Sequence, residues 1–317
     1  MCTFDFSAYF RHYFCKILIL KKLVIFGLGL IGGSVALALK KAGLVTHIVG
    51  VGRSETSLQA ALDLGVIDSA QSNISDAIEG AELILIAAPV AQTASILQSI
   101  KPYLDTNTIV TDAGSTKGDV LTTAREILGD QFGQFIGGHP IAGAEKSGVA
   151  AAKADLFIGK NVVLTPHINN AALQANTSAP SRASNIARVT EMWESCGANV
   201  TQMPAETHDS IFAAVSHLPH LLAFALVDDI ASRPNAAQLF SFAASGFRDF
   251  TRIAGSHPEM WRDISLANKT ALLSEIDAFE NELSSLKQLI SQEDGAGLQA
   301  LFERASKARN DWAESKK

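Results

Sequence analysis

The stretch that most restricts how this chain can fold is GLGLIGGSV, residues 27–35, which directly follows the apolar run Leu23-Val24-Ile25-Phe26. A G-x-G-x-x-G turn between a strand and a helix provides a tight turn, a close backbone approach to a pyrophosphate, and close packing of helix on strand. It also faces the helix N-terminus toward negative charge. Gly27, Gly29 and Gly32 occupy those positions. Short apolar runs then alternate with helix-like stretches: HIVGVG, ELILIAAP, NTIVTDAG, QFIGGHP and NVVLTP are separated by segments such as SVALALKKAG and SLQAALDLG. Gly43 and Gly65 fall where helices should stop. This rhythm builds a parallel sheet with helices on both faces, and ligands of such folds bind beyond the carboxyl ends of the strands.

The rhythm ends after RVTEMWESCG and NVTQM, near Pro204. Long helical patterns follow: IFAAVSHLPHLLAFALVDDIA, then Met260 to Ile290 with Ile276, Phe279, Leu283 and Leu286 at helical spacing, and a last helix carrying Leu298, Leu301, Phe302, Ala305 and Trp312. The expected fold class is α/β, an N-terminal Rossmann-type dinucleotide-binding domain over residues 21–203 with an all-helical C-terminal dimerisation domain over 204–317. Residues 1–20 read as an extension, and 169–185, rich in Asn, Ala and Ser, as a surface loop. The helical half is apolar enough to favour a homodimer.

The rim of the sheet holds the expected cofactor contacts: Gly27, Leu28, Gly29, Leu30, Ile31 and Gly32 in the turn, Arg53 and Ser54 after the second strand, and Ala88 and Pro89 after a later one. NAD enzymes place an acid on the ribose 2′-hydroxyl after the second strand. Here Gly52-Arg53-Ser54 stand in that place, and a guanidinium suits a 2′-phosphate, so the residues point to NADP. NAD stays open through Glu55. The net charge of −6, with no basic block, argues against a nucleic-acid partner. Cys2, Cys15 and Cys196 show neither pairing nor metal-ligand spacing, which suits the cytoplasm. No cleavable leader is evident, and no uninterrupted apolar segment reaches the eighteen or so residues of a membrane helix.

Four later motifs narrow the chemistry: DAGSTKG at 112–118, GGHPIAGAEKSG at 137–148, SHLPHLLAFAL at 216–226 and FRDFTRIAGSHPEMWRDI at 247–264. In this order they resemble the prephenate/arogenate (cyclohexadienyl) dehydrogenase family of tyrosine biosynthesis, from about Lys22 onward. The resemblance implies an NAD(P)-dependent oxidative decarboxylation of prephenate to 4-hydroxyphenylpyruvate. It makes His139 the catalytic histidine, Ser115 its neighbour, and Arg252 the grip on a substrate carboxylate. It places His217 and His220 in the substrate pocket, with Glu145 and Trp261 as pocket or gating residues. The chemistry agrees with the residues: a neutral imidazole accepts the hydroxyl proton while hydride leaves for a nicotinamide. His217 and His220, three apart, share a helix face, but no third ligand accompanies them and no metal is expected. Arogenate or dual specificity remains open, since arogenate differs from prephenate only in its side chain. A related two-domain hydroxyacid or imine reductase fits the motifs poorly, and a sensor or scaffold that binds NADP without turnover is the non-enzymatic alternative.

Overall fold

The computed structural model describes residues 19–144, 146–167 and 182–315. Among the described residues eight strands form one sheet: β1 (Leu23–Phe26), β2 (Ile48–Val51), β3 (Ser69–Ala70), β4 (Leu83–Ile86), β5 (Ile109–Asp112), β6 (Phe135–Pro140), β7 (Asn161–Thr165) and β8 (Asn199–Gln202), in the order β3-β2-β1-β4-β5-β6-β7-β8. Alternation along the strands explains the layers. Leu23, Ile25, Leu83, Leu85 and Ile109 enter one core with Val35, Leu39 and Trp193, whereas Val24, Phe26, Ile84, Ile86 and Val110 enter the other with Leu97, Ile100 and Val120. Strands buried on both faces must be apolar at every position, and LVIF and LILI are. The covering helices are α1 (Leu30–Ala42), α2 (Glu55–Asp63), α3 (Ile74–Ile78), α4 (Thr93–Ile100), α5 (Gly118–Leu128) and α6 (Arg182–Ser195).

The sheet departs from the parallel expectation at one seam. β6 pairs antiparallel with β7, His139 lying opposite Val163. A parallel partner needs a helical crossover, and the described part of the 141–160 connection offers only the 3₁₀ turn Val149–Ala151. The two-residue β3 is too short to leave a periodic signal. Leu20, assigned to the extension, is buried and bridges Val45 beside the sheet. Helix α6 begins at Arg182, so residues 182–185 are helical where a loop was expected; 168–181, like 1–18, lie outside the described residues.

Beyond β8 come α7 (Ala205–Phe212), a π-helical turn (Ala213–His217) and α8 (Leu218–Ala231), then α9 (Ala236–Ser241), α10 (Ser245–Thr251), a 3₁₀ turn (Arg252–Gly255), α11 (Pro258–Ala267), α12 (Lys269–Ser291) and α13 (Gly295–Glu314). The Met260–Ile290 pattern is thus two helices broken at the buried Asn268. The run Ala205–Ala231 is 27 residues with a hydropathy of 1.7, long and apolar enough by composition to cross a membrane. Polar residues divide the run, however, and His208, Asp209 and His217 are buried within it and hydrogen-bonded to neighbouring elements.

Candidate active site

The glycine turn joins β1 to α1 beside β4, where the strand order reverses. Gly29 caps α1 with no side-chain hydrogen bond, and the first turn of α1 carries no acid. The orphan N–H groups of that terminus therefore remain available to an anion. A Cβ on Gly32 would come within 2.1 Å of the Gly27 carbonyl oxygen, so the turn closes only with glycine there; one on Gly29 would meet nothing within 4 Å. An uncapped helix terminus beside an open Gly29 fits a dinucleotide pyrophosphate. Leu28, Leu30 and Ile31 line the same turn, and Ala88 and Pro89 follow β4 beside it. After β2, Arg53 is exposed, and Ser54 caps α2 by accepting the Ser57 N–H at 3.2 Å. The Ser54 oxygen accepts from the helix while its hydroxyl hydrogen can still be donated.

His139 lies on β6 beyond the end of β5. Asp112, the last residue of β5, accepts the Gly138 N–H through Oδ1 at 2.9 Å and faces Lys117 Nζ through Oδ2. A Cβ on Gly138 would lie 2.8 Å from the Asp112 carbonyl oxygen, which accounts for a glycine before His139. His139 Nδ1 meets His208 Nε2 at 2.8 Å, and His208 Nδ1 meets Asp209 Oδ1 at 2.8 Å. Asp209 also accepts the backbone N–H of Lys117 (2.9 Å) and of Gly118 (2.8 Å), so α7 is tied to the N-terminus of α5. Phe212 packs edge-on against the His139 ring and tilted against His208. Burial pushes His139 well below the ordinary histidine value, and His208, Lys117 and His217 push the same way. It is a neutral imidazole at neutral pH.

A second cluster shares the network. Asn268 Nδ2 donates to the Asp209 carbonyl oxygen (2.8 Å) and contacts His217 Nδ1 (3.1 Å). An amide nitrogen only donates, so His217 Nδ1 accepts and its proton sits on Nε2. That Nε2 and the indole Nε1 of Trp261 are both buried without a partner among the described residues. His220 stacks on Trp261 at 3.7 Å and bonds the Ser216 carbonyl through Nδ1. Burial pushes His217 down to about 4 and lowers His220, on which the Arg252 charge also acts. The structure therefore gathers His139 on β6, His217 on the π turn, His220 on α8, Arg252 on the 3₁₀ turn and Trp261 on α11. Ser115 lies in the β5–α5 loop and hydrogen-bonds no other described residue; the partner of His139 is His208. Glu145 lies outside the described residues. Sequence reasoning missed His208, Asp209, Asn268 and the buried Asp112–Lys117 pair. The His208-Asp209 dipeptide at the head of an apolar helical run was the available signal. Asn268 carried none, because its role depends on two helices meeting. Among the described residues, no group of three or more His, Cys, Asp or Glu is arranged to hold a metal ion.

The family profile described as "Prephenate dehydrogenase, nucleotide-binding domain" matches residues 35–202, and "Prephenate dehydrogenase, dimerization domain" matches 204–304. The chain is 38% identical over 286 residues to a prephenate dehydrogenase of Bacillus subtilis, covering 90% of this chain and 74% of that one. It is 33% identical to a cyclohexadienyl dehydrogenase of Zymomonas mobilis, covering 92% and 96%. Among solved structures it resembles prephenate dehydrogenase from A. aeolicus in complex with hydroxyphenyl propionate and NAD+, with a TM-score of 0.83 and 37% identity, covering 93% of this chain and 99% of that one.

Proposed function

The chain belongs to the prephenate dehydrogenase family, and from that premise we propose that His139 is the base of an oxidative decarboxylation. The reaction takes prephenate to 4-hydroxyphenylpyruvate with hydride transfer to NAD(P)+. The observation that carries the role of His139 is its burial as a neutral imidazole whose Nδ1 is already engaged. The residues of the glycine turn would hold the cofactor, whose nicotinamide supplies the hydride acceptor. In the reaction the substrate hydroxyl gives its proton to His139, the electron pair of the carbinol C–H bond leaves as hydride, and loss of carbon dioxide aromatises the ring.

The buried donors His217 Nε2 and Trp261 Nε1 are suited to substrate oxygens, since an unpaired buried donor costs free energy until a ligand accepts from it. Arg252 and His220 serve the same anionic end, with Glu145 a pocket or gating residue and Ser115 beside His139 at the substrate hydroxyl. A carboxylate held by Arg252 is charged in ground and transition states alike, so Arg252 contributes binding more than rate. Arg53 favours NADP over NAD, and the open choice between keto and amino side chains makes dual activity on arogenate the second reading, in keeping with the cyclohexadienyl relative. The nucleotide-binding unit ends at residue 203, Pro204 capping α7. The helical unit pairs with a second copy, supported by exposed Leu283, Ile290, Phe302 and Trp312 on α12 and α13. A reducing, cytoplasmic setting suits a free, buried Cys196.

Initial rates of reduced nicotinamide formation test this reading, with prephenate or arogenate crossed against NADP+ or NAD+. Turnover is expected with prephenate and faster with NADP+. In the same assay Arg252→Ala is expected to raise KM far more than it lowers kcat. Turnover preferring NAD+ discards the Arg53 assignment, and no turnover with either substrate discards the proposed reaction.

A further inference from the structure

We infer that Asp209 and His208 are positioning residues that fix which nitrogen of His139 carries its proton, leaving Nε2 as the atom that accepts the substrate hydroxyl proton. The inference rests on His139 being the base and adds how the helical half of the chain sets its protonation.

Asp209 receives three N–H donors: Lys117 N and His208 Nδ1 on Oδ1, and Gly118 N on Oδ2. Burial alone would raise its carboxyl group, but the hydrogen bonds from His208, Gly118 and Lys117 outweigh burial and hold it below the ordinary range. An ionised carboxylate only accepts, so His208 Nδ1 must carry hydrogen. Burial lowers His208 from the ordinary value, so the ring is neutral and its Nε2 holds a lone pair. The 2.8 Å contact with His139 is then a hydrogen bond in one sense alone, His139 Nδ1–H donating to His208 Nε2. The neutral His139 therefore has its lone pair on Nε2. Phe212 packs against both rings, and the Asp112–Gly138 bond fixes the strand from which His139 projects.

This order is the one a base requires. When the hydroxyl O–H bond breaks, its proton goes to His139 Nε2 while the C–H electron pair leaves as hydride. The new imidazolium keeps its Nδ1–H on His208 Nε2, and His208 keeps its own Nδ1–H on the Asp209 carboxylate. No proton has to travel along the chain. The carboxylate stabilises the positive charge through one intervening ring, in a buried setting where such interactions gain strength. Asp209→Asn would reverse the order: its amide can present N–H to His208 Nδ1, which moves the His208 proton to Nε2 and forces His139 to become an Nε2–H donor.

The test combines histidine-labelled NMR of the wild-type protein with kinetics of four variants. In the wild type the His139 Nδ1 is expected to show the protonated nitrogen signature and Nε2 the unprotonated one; the opposite tautomer overturns the inference without any mutation. Asp209→Asn is expected to lower kcat by about 10²–10⁴-fold, with the KM for prephenate changed less than about threefold and the His139 tautomer inverted. His208→Gln, whose carbonyl can accept from His139 Nδ1–H, should retain far more activity than His208→Leu of similar melting temperature. Equal losses in these two would assign His208 a packing role only and overturn the relay. His139→Asn, measured in parallel, separates the two readings. An inactive His139→Asn beside a fully active Asp209→Asn discards the positioning role and keeps the base, whereas an active His139→Asn discards the base itself.

Discussion

The histidines of this site differ in what surrounds them, and their surroundings decide their chemistry. His217 is buried, accepts from Asn268 through Nδ1, and is held at about 4, well below a free histidine. In the unfolded chain it would take up a proton near pH 6.5. Between those values the unfolded state binds more protons, so stability falls as the pH drops from about 6.5 toward 4 and is fully present above that window. His139 and His208, both lowered by burial, add in the same direction. Melting temperatures measured across this range are expected to decline toward acid, and His217→Asn, which cannot titrate, should decline less steeply. An unchanged slope would show that His217 is not kept neutral by the fold. The motifs named His139, His217 and His220, since each stands in a recognisable run. They did not name Asp209, whose importance comes from donors 91 and 92 residues away in sequence.

At the scale of elements, two short segments carry the site. The glycine turn uses its glycines for different ends. Gly32 has no room for a Cβ because the Gly27 carbonyl oxygen lies 2.1 Å from where it would be, whereas Gly29 has no protein atom within 4 Å. Gly32→Ala is therefore expected to lower the melting temperature sharply, by the strain of an overpacked backbone contact of about 1–3 kcal/mol or more. Gly29→Ala should leave stability within about 0.5 kcal/mol of wild type and instead raise the KM for the dinucleotide. Thermal melts and cofactor titrations of the two variants check this; equal destabilisation would mean that Gly29 is constrained by the protein, not by its ligand. The second segment is the π turn Ala213–His217 between α7 and α8. Such turns often occur at functional sites. Here it shifts the register between His208-Asp209 on one helix and His220 on the next, a shift that apolar periodicity does not reveal, because the residues on both sides are equally hydrophobic.

At the scale of the whole molecule, the helical half leaves large apolar side chains in solvent. Ile290 and Phe302 are each more than half exposed, on α12 and α13. The proposed second copy would cover these faces, as large exposed apolar patches mark association sites. Analytical ultracentrifugation is expected to give twice the chain mass, with Ile290→Glu/Phe302→Glu shifted toward monomer; a monomeric wild type at micromolar concentrations would leave these faces unexplained. Sequence by itself determined the parallel strands β1, β2, β4 and β5, because strands buried on both faces must be apolar nearly throughout and glycine turns are local. It also carried the motifs that hold His139, His217 and His220, because each is a contiguous run. Tertiary structure alone decided the antiparallel β6–β7 seam, the break at Asn268 and the His139–His208–Asp209 order. Each depends on groups distant along the chain that meet only when the sheet and helices pack, and hydrogen-bond partners at that separation leave no periodic trace in sequence.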